Sequence, residues 1–218
     1  MRVSGQSRRI APTSALPASN SEHLEELEWL IGDWVDESSD GVVSSSYRWS
    51  ADGNYIIKAD QFGNLFFETV DSFEFKGKRY GDNIKNSDRI MSTFLKREAS
   101  TGVMLTGEKG SGKSLLAKTL AMAGAEQGIP TLIINAPWHG DKFNKFIQDI
   151  EQPCIVLFDE FEKVYDSDEQ ESMLTLLDGV FPSKKLFLLT CNDKWRVDQH
   201  MRNRPGRIFY MIDFKGLD

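Results

Sequence analysis

Short apolar stretches alternate with helix-forming stretches from about residue 87 onward, and this alternation constrains the fold more than any other feature. The apolar stretches have the length of strands and carry no charge, which is typical of strands buried on both faces. The predicted strands are residues 103–106, 131–135, 154–158, 186–190 and 208–212, and the predicted helices are residues 87–98, 112–126, 142–150, 169–180 and 197–202. This order predicts an α/β fold, with a five-stranded parallel sheet flanked by helices.

The first 80 residues have a different character. Residues 1–21 are rich in serine, alanine and proline and carry arginines without acids, which predicts a disordered tail. Leu24, Leu27, Leu30 and Ile31 recur at three- and four-residue spacing and predict a short amphipathic helix over residues 22–30. Two β-prone runs, 42–50 and 54–58, are predicted to form a hairpin across Asp52-Gly53.

Aromatic residues are dense in this region, and Trp29, Trp34 and Trp49 all lie within it. We therefore predict a small β-rich module over residues 22–80, ahead of a larger domain at residues 83–218. The segment from about residue 22 to 58 also resembles a stretch of bacterial proteins that carry small ligand-binding β domains of the NTF2-associated or lipocalin-like kind. That resemblance assigns no chemistry, and a fusion with a seam near residues 59–64 stays open.

The composition limits the class of protein. Lysine and arginine number 26 against 33 acids, a net charge of −7, which disfavours nucleic-acid binding over the whole surface but leaves a local basic patch open. No stretch approaches the roughly 18 apolar residues of a membrane helix, so we expect no membrane span. Cys154 and Cys191 lie in apolar runs and are predicted to be reduced core residues of a cytoplasmic protein.

A glycine-rich loop joins the strand at residues 103–106 to the next helix. Residues 107–114 read GEKGSGKS and match G-x-x-x-x-G-K-[ST] at every fixed position. In such a loop the backbone N–H groups and the lysine bind phosphate oxygens, and the hydroxyl that follows is a ligand of Mg²⁺. The alternative is a glycine-rich turn without a ligand. The predicted binding residues are Gly107, Glu108, Lys109, Gly110, Ser111, Gly112, Lys113, Ser114 and Leu115, with Ser114 also a metal ligand.

Two adjacent acids, Asp159 and Glu160, follow the strand at residues 154–158. At the carboxyl edge of the sheet, Asp159 is predicted to hold the metal and Glu160 to polarise a water for attack on the γ-phosphate. Solvated surface charge is the alternative. Glu162, further along, is predicted to be a surface acid.

Two further polar groups follow later in the chain. Asn192 comes directly after the fourth strand, where an amide can hydrogen-bond the γ-phosphate or the attacking water, although an Asn-Asp turn is the alternative. Arg202, Arg204 and Arg207 surround a Pro-Gly turn, and the fork of an arginine suits phosphate oxygens. A solvated loop or a nucleic-acid patch is the alternative for the arginines.

Together these motifs resemble the AAA+ family of ATPases over about residues 83–218. The resemblance implies ATP as the nucleotide, with Lys113 and Ser114 in Walker A and Asp159 and Glu160 in Walker B. The wording of the motifs is most similar to that of ATPases from large tailed bacteriophages and related bacterial proteins.

The resemblance implies further roles outside the Walker motifs. Asn192 corresponds to sensor 1, and Arg204 and Arg207 are expected to reach as arginine fingers into the nucleotide site of a neighbouring subunit. In the family an aromatic residue after the second strand often grips a polypeptide in the central channel, which makes Trp138 a candidate, with simple packing as the alternative. A helical lid normally begins where this sequence reaches Asp218, so the resemblance extends to the core without its lid.

We therefore expect a Mg²⁺-dependent ATPase that acts as a homo-oligomeric ring and remodels a protein client. Two alternatives stay open: a nucleotide-binding assembly module with little turnover, and a DNA-directed motor or loader. Catalysis is expected of Glu160, Asn192, Arg204 and Arg207. ATP and Mg²⁺ are the expected cofactors, nucleic acid is not excluded as a partner, and no membrane partner is expected.

Overall fold

The computed structural model describes residues 32–38, 41–47, 53–71, 73, 82–178, 184–203 and 206–215. The chain divides into two compact units, Met1–Trp49 and Ser50–Asp218. In the first unit, strands β1 (Gly32–Ser38) and β2 (Gly41–Tyr47) pair antiparallel as a two-stranded sheet.

The second unit is built on a seven-stranded sheet with the order β4-β3-β6-β7-β8-β5-β9. Neighbouring strands run parallel, except that β4 is antiparallel to β3. The strands are β3 (Asn54–Ala59), β4 (Leu65–Val70), β5 (Thr101–Gly107), β6 (Thr131–Ile134), β7 (Cys154–Phe158), β8 (Lys185–Cys191) and β9 (Tyr210–Phe214). Every residue of β7 and β8 is buried, as expected for the central strands of a sheet covered on both faces.

Helices connect these strands. They are α1 (Asn83–Lys96), α2 (Lys113–Ala125), α3 (Gly140–Gln148), α4 (Phe161–Val164), α5 (Ser167–Leu177) and α6 (Gln199–Asn203), with a 3-10 turn at Lys194–Arg196. Apolar side chains of α1 and α2 form one core cluster with those of β5, β7 and β8. The start of α5 is fixed by a capping box, in which Asp166 and Glu169 each accept the other's backbone N–H. None of the helices in the described ranges is long and apolar enough to cross a membrane.

The predicted fold class is confirmed, and each of the five predicted strands overlaps an observed one. The sheet nevertheless has seven strands, because β3 and β4 extend it beyond β6. Tyr55 and Ile57 of β3 and Phe67 of β4 are buried, so this hairpin covers its apolar face within the larger unit. The hairpin belongs to the compact unit that begins at Ser50, whereas we expected the larger domain to begin at residue 83.

The predicted hairpin across Asp52-Gly53 is wrong, because β2 pairs with β1 whereas β3 pairs with β4 and β6. A turn signal cannot by itself select the partner of a strand when a larger sheet offers an open edge. The predicted tail at 1–21 and helix at 22–30 lie outside the described residues. So does much of the segment compared with NTF2-associated and lipocalin-like domains, and that resemblance stays a prediction.

Both cysteines are buried free thiols, as predicted. Cys154 lies in β7 and Cys191 ends β8, and burial raises the pKa of each thiol to about 12. Both side chains are therefore neutral core residues at ordinary pH.

Gly102 in β5 provides a test of how closely the chain packs beside the edge strand β9. A Cβ at this position would collide with the carbonyl oxygen of Arg207 and would lie 2.9 Å from its carbonyl carbon. Neither backbone segment can move easily, because the Phe209 N–H donates to the Gly102 carbonyl at 2.8 Å. We expect Gly102→Ala to lower the free energy of unfolding by about 2 kcal/mol or more, measured by urea denaturation.

Gly124→Ala is the matched control. Its Cβ would lie 2.7 Å from Ile155 Cδ1, the end of a flexible side chain, and 3.1 Å from the Ile129 carbonyl oxygen, a looser backbone contact than the one at Gly102. Alanine also favours the α2 helix by up to about 1 kcal/mol. We expect Gly124→Ala to change stability by less than half as much. Equal losses in the two variants would show that the Gly102 contact is not the tight one.

Candidate nucleotide-binding site

The order of the strands brings the predicted motifs to one edge of the sheet. Strand β8 lies between β7 and β5, and all three run parallel. Their carboxyl ends lead into the glycine-rich loop after β5, the acids after β7 and Asn192 after β8. In open parallel sheets ligands bind at this edge.

The glycine-rich loop is built from residues in the left-handed region. Gly107, Gly110 and Gly112 have φ values of 136°, 84° and 106°, conformations that side chains with a Cβ rarely adopt. At Gly107 a Cβ would also lie 3.0 Å from Phe214 Cβ. The hydroxyl of Ser111 is buried and has no hydrogen-bond partner, so the loop contains a polar group that is available to a ligand.

Lys113 opens α2 and is 6% exposed. Its Nζ donates to the carbonyls of Gly107 and Glu108 at 2.6 and 2.8 Å, so the lysine bridges the start of its own loop. Burial lowers the pKa of Lys113, and nearby acids, Glu162 among them, oppose this shift. The remaining predicted loop residues divide into exposed side chains at Glu108, Lys109 and Ser114 and a half-buried side chain at Leu115.

The two predicted acids are connected by a residue that the sequence analysis missed. Thr190 Oγ1 donates to Asp159 Oδ1 at 2.6 Å and accepts the Glu160 N–H at 2.9 Å. Phe158 pairs with Leu189 in the parallel sheet, which places the next residues of both strands side by side. The role of Thr190 could be found only from this cross-strand register, which the sequence alone does not contain.

Glu160 has the unusual backbone of the site. Its φ of 49° makes it the one described non-glycine residue with a positive φ, a strain that structures retain mostly at functional positions. Its Oε1 accepts from Lys163 Nζ at 2.6 Å, and this hydrogen bond lowers the pKa of Glu160. Glu160 is therefore ionised at neutral pH, but it is a weaker base than an ordinary glutamate.

The expectation that Glu162 is a surface acid is wrong. The residue is only 4% exposed, because the short helix α4 turns it inward toward the end of β8. Its Oε1 accepts from the backbone N–H and the side-chain Nδ2 of Asn192 at 3.0 and 3.2 Å. Asn192 is thus held by an acid to which we assigned no function.

A cavity of about 270 Å³ opens beside the loop, on the side of β9. Asp213 lies in its wall and accepts from Thr106 Oγ1 and Lys194 Nζ, both at 2.9 Å. Both hydrogen bonds lower the pKa of Asp213, and the one from Lys194 has the larger effect. The lining residues are Thr106, Gly107, Glu108, Asn192, Asp193, Lys194, Trp195, Asp213, Phe214 and Lys215.

The predicted arginines have different surroundings. Arg204 lies outside the described residues. Arg207 is 5% exposed, and its Nε and NH2 donate to the two carboxylate oxygens of Asp178 at 2.8 and 2.6 Å. Its NH1 donates to the carbonyl of His200 at 2.8 Å. A contact between Arg207 and the nucleotide of a neighbouring subunit would require these hydrogen bonds to break. Arg202 has a different partner, because its guanidinium carbon lies 5.0 Å from the centre of the Trp195 ring.

Trp138 is half-buried in the segment between β6 and α3. The hydroxyl of Tyr165 donates to the carbonyls of Trp138 and Ala136 at 3.0 and 3.3 Å. This segment is therefore tied through Tyr165 to the chain that follows Glu160. The indole Nε1 is buried without a hydrogen-bond partner. This burial favours the alternative prediction, in which Trp138 packs within the domain and does not contact a polypeptide.

The fold and the loop define a P-loop α/β domain, the class that binds nucleotide phosphates in the loop between a parallel strand and the helix that follows it. The family model described as "ATPase family associated with various cellular activities (AAA)" matches residues 103–215. The chain belongs to this family, and the predicted AAA+ membership is confirmed.

Individual relatives match the same part of the chain. ATP-dependent zinc metalloprotease FtsH 3 of Synechocystis sp. is 31% identical over 149 residues, 58% of this chain and 23% of that protein. The peroxisomal ATPase PEX1 of Cricetulus griseus is 29% identical over 131 residues, 50% of this chain and 10% of that protein. The chain therefore spans less than a quarter of the length of these two relatives.

Among solved structures, the E. coli MS115-1 HORMA:CdnC:Trip13 complex contains a similar chain. The two share 14% sequence identity with a TM-score of 0.46, over 61% of this chain and 62% of that one.

The Arg207–Asp178 pair generates a prediction about stability. Removing the carboxylate leaves a guanidinium that is 5% exposed without its bidentate partner. Because the Asp178 side chain is itself 35% exposed, we expect Asp178→Ala to cost about 2 kcal/mol, less than a fully buried pair. Chemical denaturation measures this loss.

Asp149→Ala is the control, because Asp149 pairs with Lys145 at 3.6 Å on an exposed helix face. Such surface pairs contribute about 0.5 kcal/mol or less. If Asp178→Ala were no more destabilising than Asp149→Ala, the Arg207 pair would not be anchoring its loop.

Proposed function

We propose that this chain binds ATP with Mg²⁺ at the loop of residues 107–114 and hydrolyses it. One observation carries the proposal: the loop lysine, the paired acids and Asn192 lie at one edge of the sheet. Thr190 hydrogen-bonds both acids, and Glu162 hydrogen-bonds Asn192. Membership of the AAA family supports the same activity.

The loop has the chemistry that a triphosphate requires. Backbone amides around three glycines with positive φ can turn toward phosphate oxygens, as can the unpartnered Ser111 hydroxyl. Lys113 already donates to two oxygens of the loop, and we propose that it exchanges these carbonyls for phosphate oxygens. The N-terminus of the thirteen-residue helix α2 adds positive potential.

Ser114 and Asp159 offer the oxygen donors that Mg²⁺ prefers, and both side chains are exposed at this edge. We propose that these two residues hold the ion. When bound, the ion would neutralise charge that develops on the phosphate oxygens.

Glu160 and Asn192 are proposed to act on the attacking water. Because the Lys163 contact keeps the pKa of Glu160 low, this carboxylate suits orientation and polarisation of the water better than full removal of its proton. The Asn192 amide would hydrogen-bond the same water or the γ-phosphate.

Action on a protein client in a homo-oligomeric ring is proposed from the relatives. The name of FtsH 3 describes an ATP-dependent protease, an enzyme that acts on proteins. We propose that Arg204 reaches the nucleotide of a neighbouring subunit, whereas Arg207 anchors the same loop on Asp178. The net charge of −7 counts against the alternative of a DNA-directed motor.

The contact between Glu160 and Lys163 favours a second candidate function. The carboxylate is already bound at 2.6 Å by a lysine that would compete with water. If this pair stays closed when ATP binds, the chain is a nucleotide-binding assembly module with little turnover.

Glu160→Gln separates the two functions. We expect this variant to bind MgATP with unchanged affinity in titration calorimetry but to release phosphate at least about a hundredfold more slowly than the wild type, because an amide cannot polarise the water. Binding without phosphate release by the wild type would support the assembly module instead.

Two lysine variants serve as controls. Lys113→Ala is expected to abolish binding itself, whereas Lys118→Ala, five residues further along α2 and exposed, leaves binding intact. No heat of binding from the wild type would contradict the proposed site.

A shared site predicts complementation between variants. Arg204→Ala subunits retain an intact Walker B motif, and Glu160→Gln subunits retain the arginine, so mixed rings contain some complete sites. We expect phosphate release from the mixture to exceed that of either variant alone. No gain at any mixing ratio would contradict a site shared between subunits.

A further inference from the structure

The turn after β7 buries an acid that the proposed hydrolysis does not use. Glu162 is 4% exposed, and its Oε2 is buried without a hydrogen-bond partner. Burying a carboxyl group with one oxygen unpartnered is costly, and an apolar side chain would fill the same space at lower cost. A structural role alone therefore does not account for this residue.

The other oxygen of Glu162 makes the contacts that explain it. Oε1 accepts from both the backbone N–H and the side-chain Nδ2 of Asn192. These two hydrogen bonds fix both the backbone of Asn192, directly after β8, and its side-chain amide. Glu162 thus contacts the proposed water-binding residue directly.

Asn192 also faces the proposed catalytic acid. After the larger effect of Lys163, the nearby Asn192 side chain contributes to the lowered pKa of Glu160. The hydrogen bonds that hold the amide are nevertheless those to Glu162.

This arrangement determines which way the amide points. Glu162 Oε1 accepts from Nδ2, so the acceptor Oδ1 must lie on the opposite edge of the amide. With no acid at position 162, either edge of the Asn192 amide could face inward. A donor and an acceptor interact with water and phosphate in opposite ways, so this choice affects the reaction.

We propose that Glu162 is a positioning residue, which holds the Asn192 amide in one orientation for ATP hydrolysis through its two hydrogen bonds to that residue. The inference rests on the proposed function and extends it to a residue beyond the Walker motifs. Its effect passes through Asn192, so it should disappear when the Asn192 amide is absent.

A double-mutant cycle tests this dependence. Glu162→Gln keeps the size of the side chain but offers Asn192 an N–H₂ group as well as an oxygen. We expect Glu162→Gln to lower kcat by about tenfold or more, with KM for MgATP changed less than about twofold. In an Asn192→Ala background the same substitution should change kcat less than about twofold.

The design also needs a control variant and a replacement variant. Glu171→Gln, an exposed glutamate on α5, is the control and should leave kcat unchanged. If Glu162→Gln does not fold, Glu162→Asp takes its place, because it retracts the carboxyl group by one methylene. Equal losses of kcat in the two backgrounds, or no loss in either, would overturn the inference.

A readout without turnover keeps the two proposals distinguishable. In ¹⁵N-labelled protein the side-chain N–H₂ signals of Asn192 are identified by their absence in Asn192→Ala. We expect them to exchange with water at least about tenfold faster in Glu162→Gln than in the wild type. If the wild type releases no phosphate, the proposed function fails, and unchanged exchange would separately show that Glu162 does not hold Asn192.

Discussion

The in-register pairing of β7 with β8 is the constraint on which the site depends. It places Thr190 beside Asp159, and the threonine hydroxyl then connects the Asp159 side chain to the Glu160 backbone. A slip of one residue would turn each side chain to the opposite face of the sheet and separate these groups. The complete burial of both strands makes such a slip costly, so the core itself enforces the geometry of the acids.

Opposite charges compensate one another at this edge of the sheet, which explains why several ionisable groups can lie close together there. Lys113 is buried, which disfavours its charge, but Glu162, Asp159 and Glu160 lie near enough to oppose that effect. The lysine donates to loop carbonyls and Glu160 accepts from Lys163. Both groups thus have protein partners that a nucleotide and a water would replace, and the exchange would cost less than uncovering bare charges.

The parts of the site that the sequence analysis found are those with local patterns. The loop at 107–114 and the acids at 159–160 each follow an apolar strand, and a parallel sheet brings the ends of such strands together. Glu162 was missed because the chain turns into α4 two residues after Asp159, and the direction of that turn depends on packing against β8. Arg207 was expected to face a neighbour, and its pairing with Asp178 depends on a helix that lies 29 residues earlier in the chain.

The sequence by itself determined the class of fold and the position of the glycine-rich loop, because hydrophobic period and glycine spacing act over a few residues. It did not determine that β3 and β4 join the main sheet, since the open edge of β6 exists only once the sheet has formed. The tertiary structure also decided which acid is solvated and which is buried against Asn192. Burial is a property of the assembled core, and so the partners of Glu162, Thr190 and Arg207 were decided only by the packing of the strands and helices.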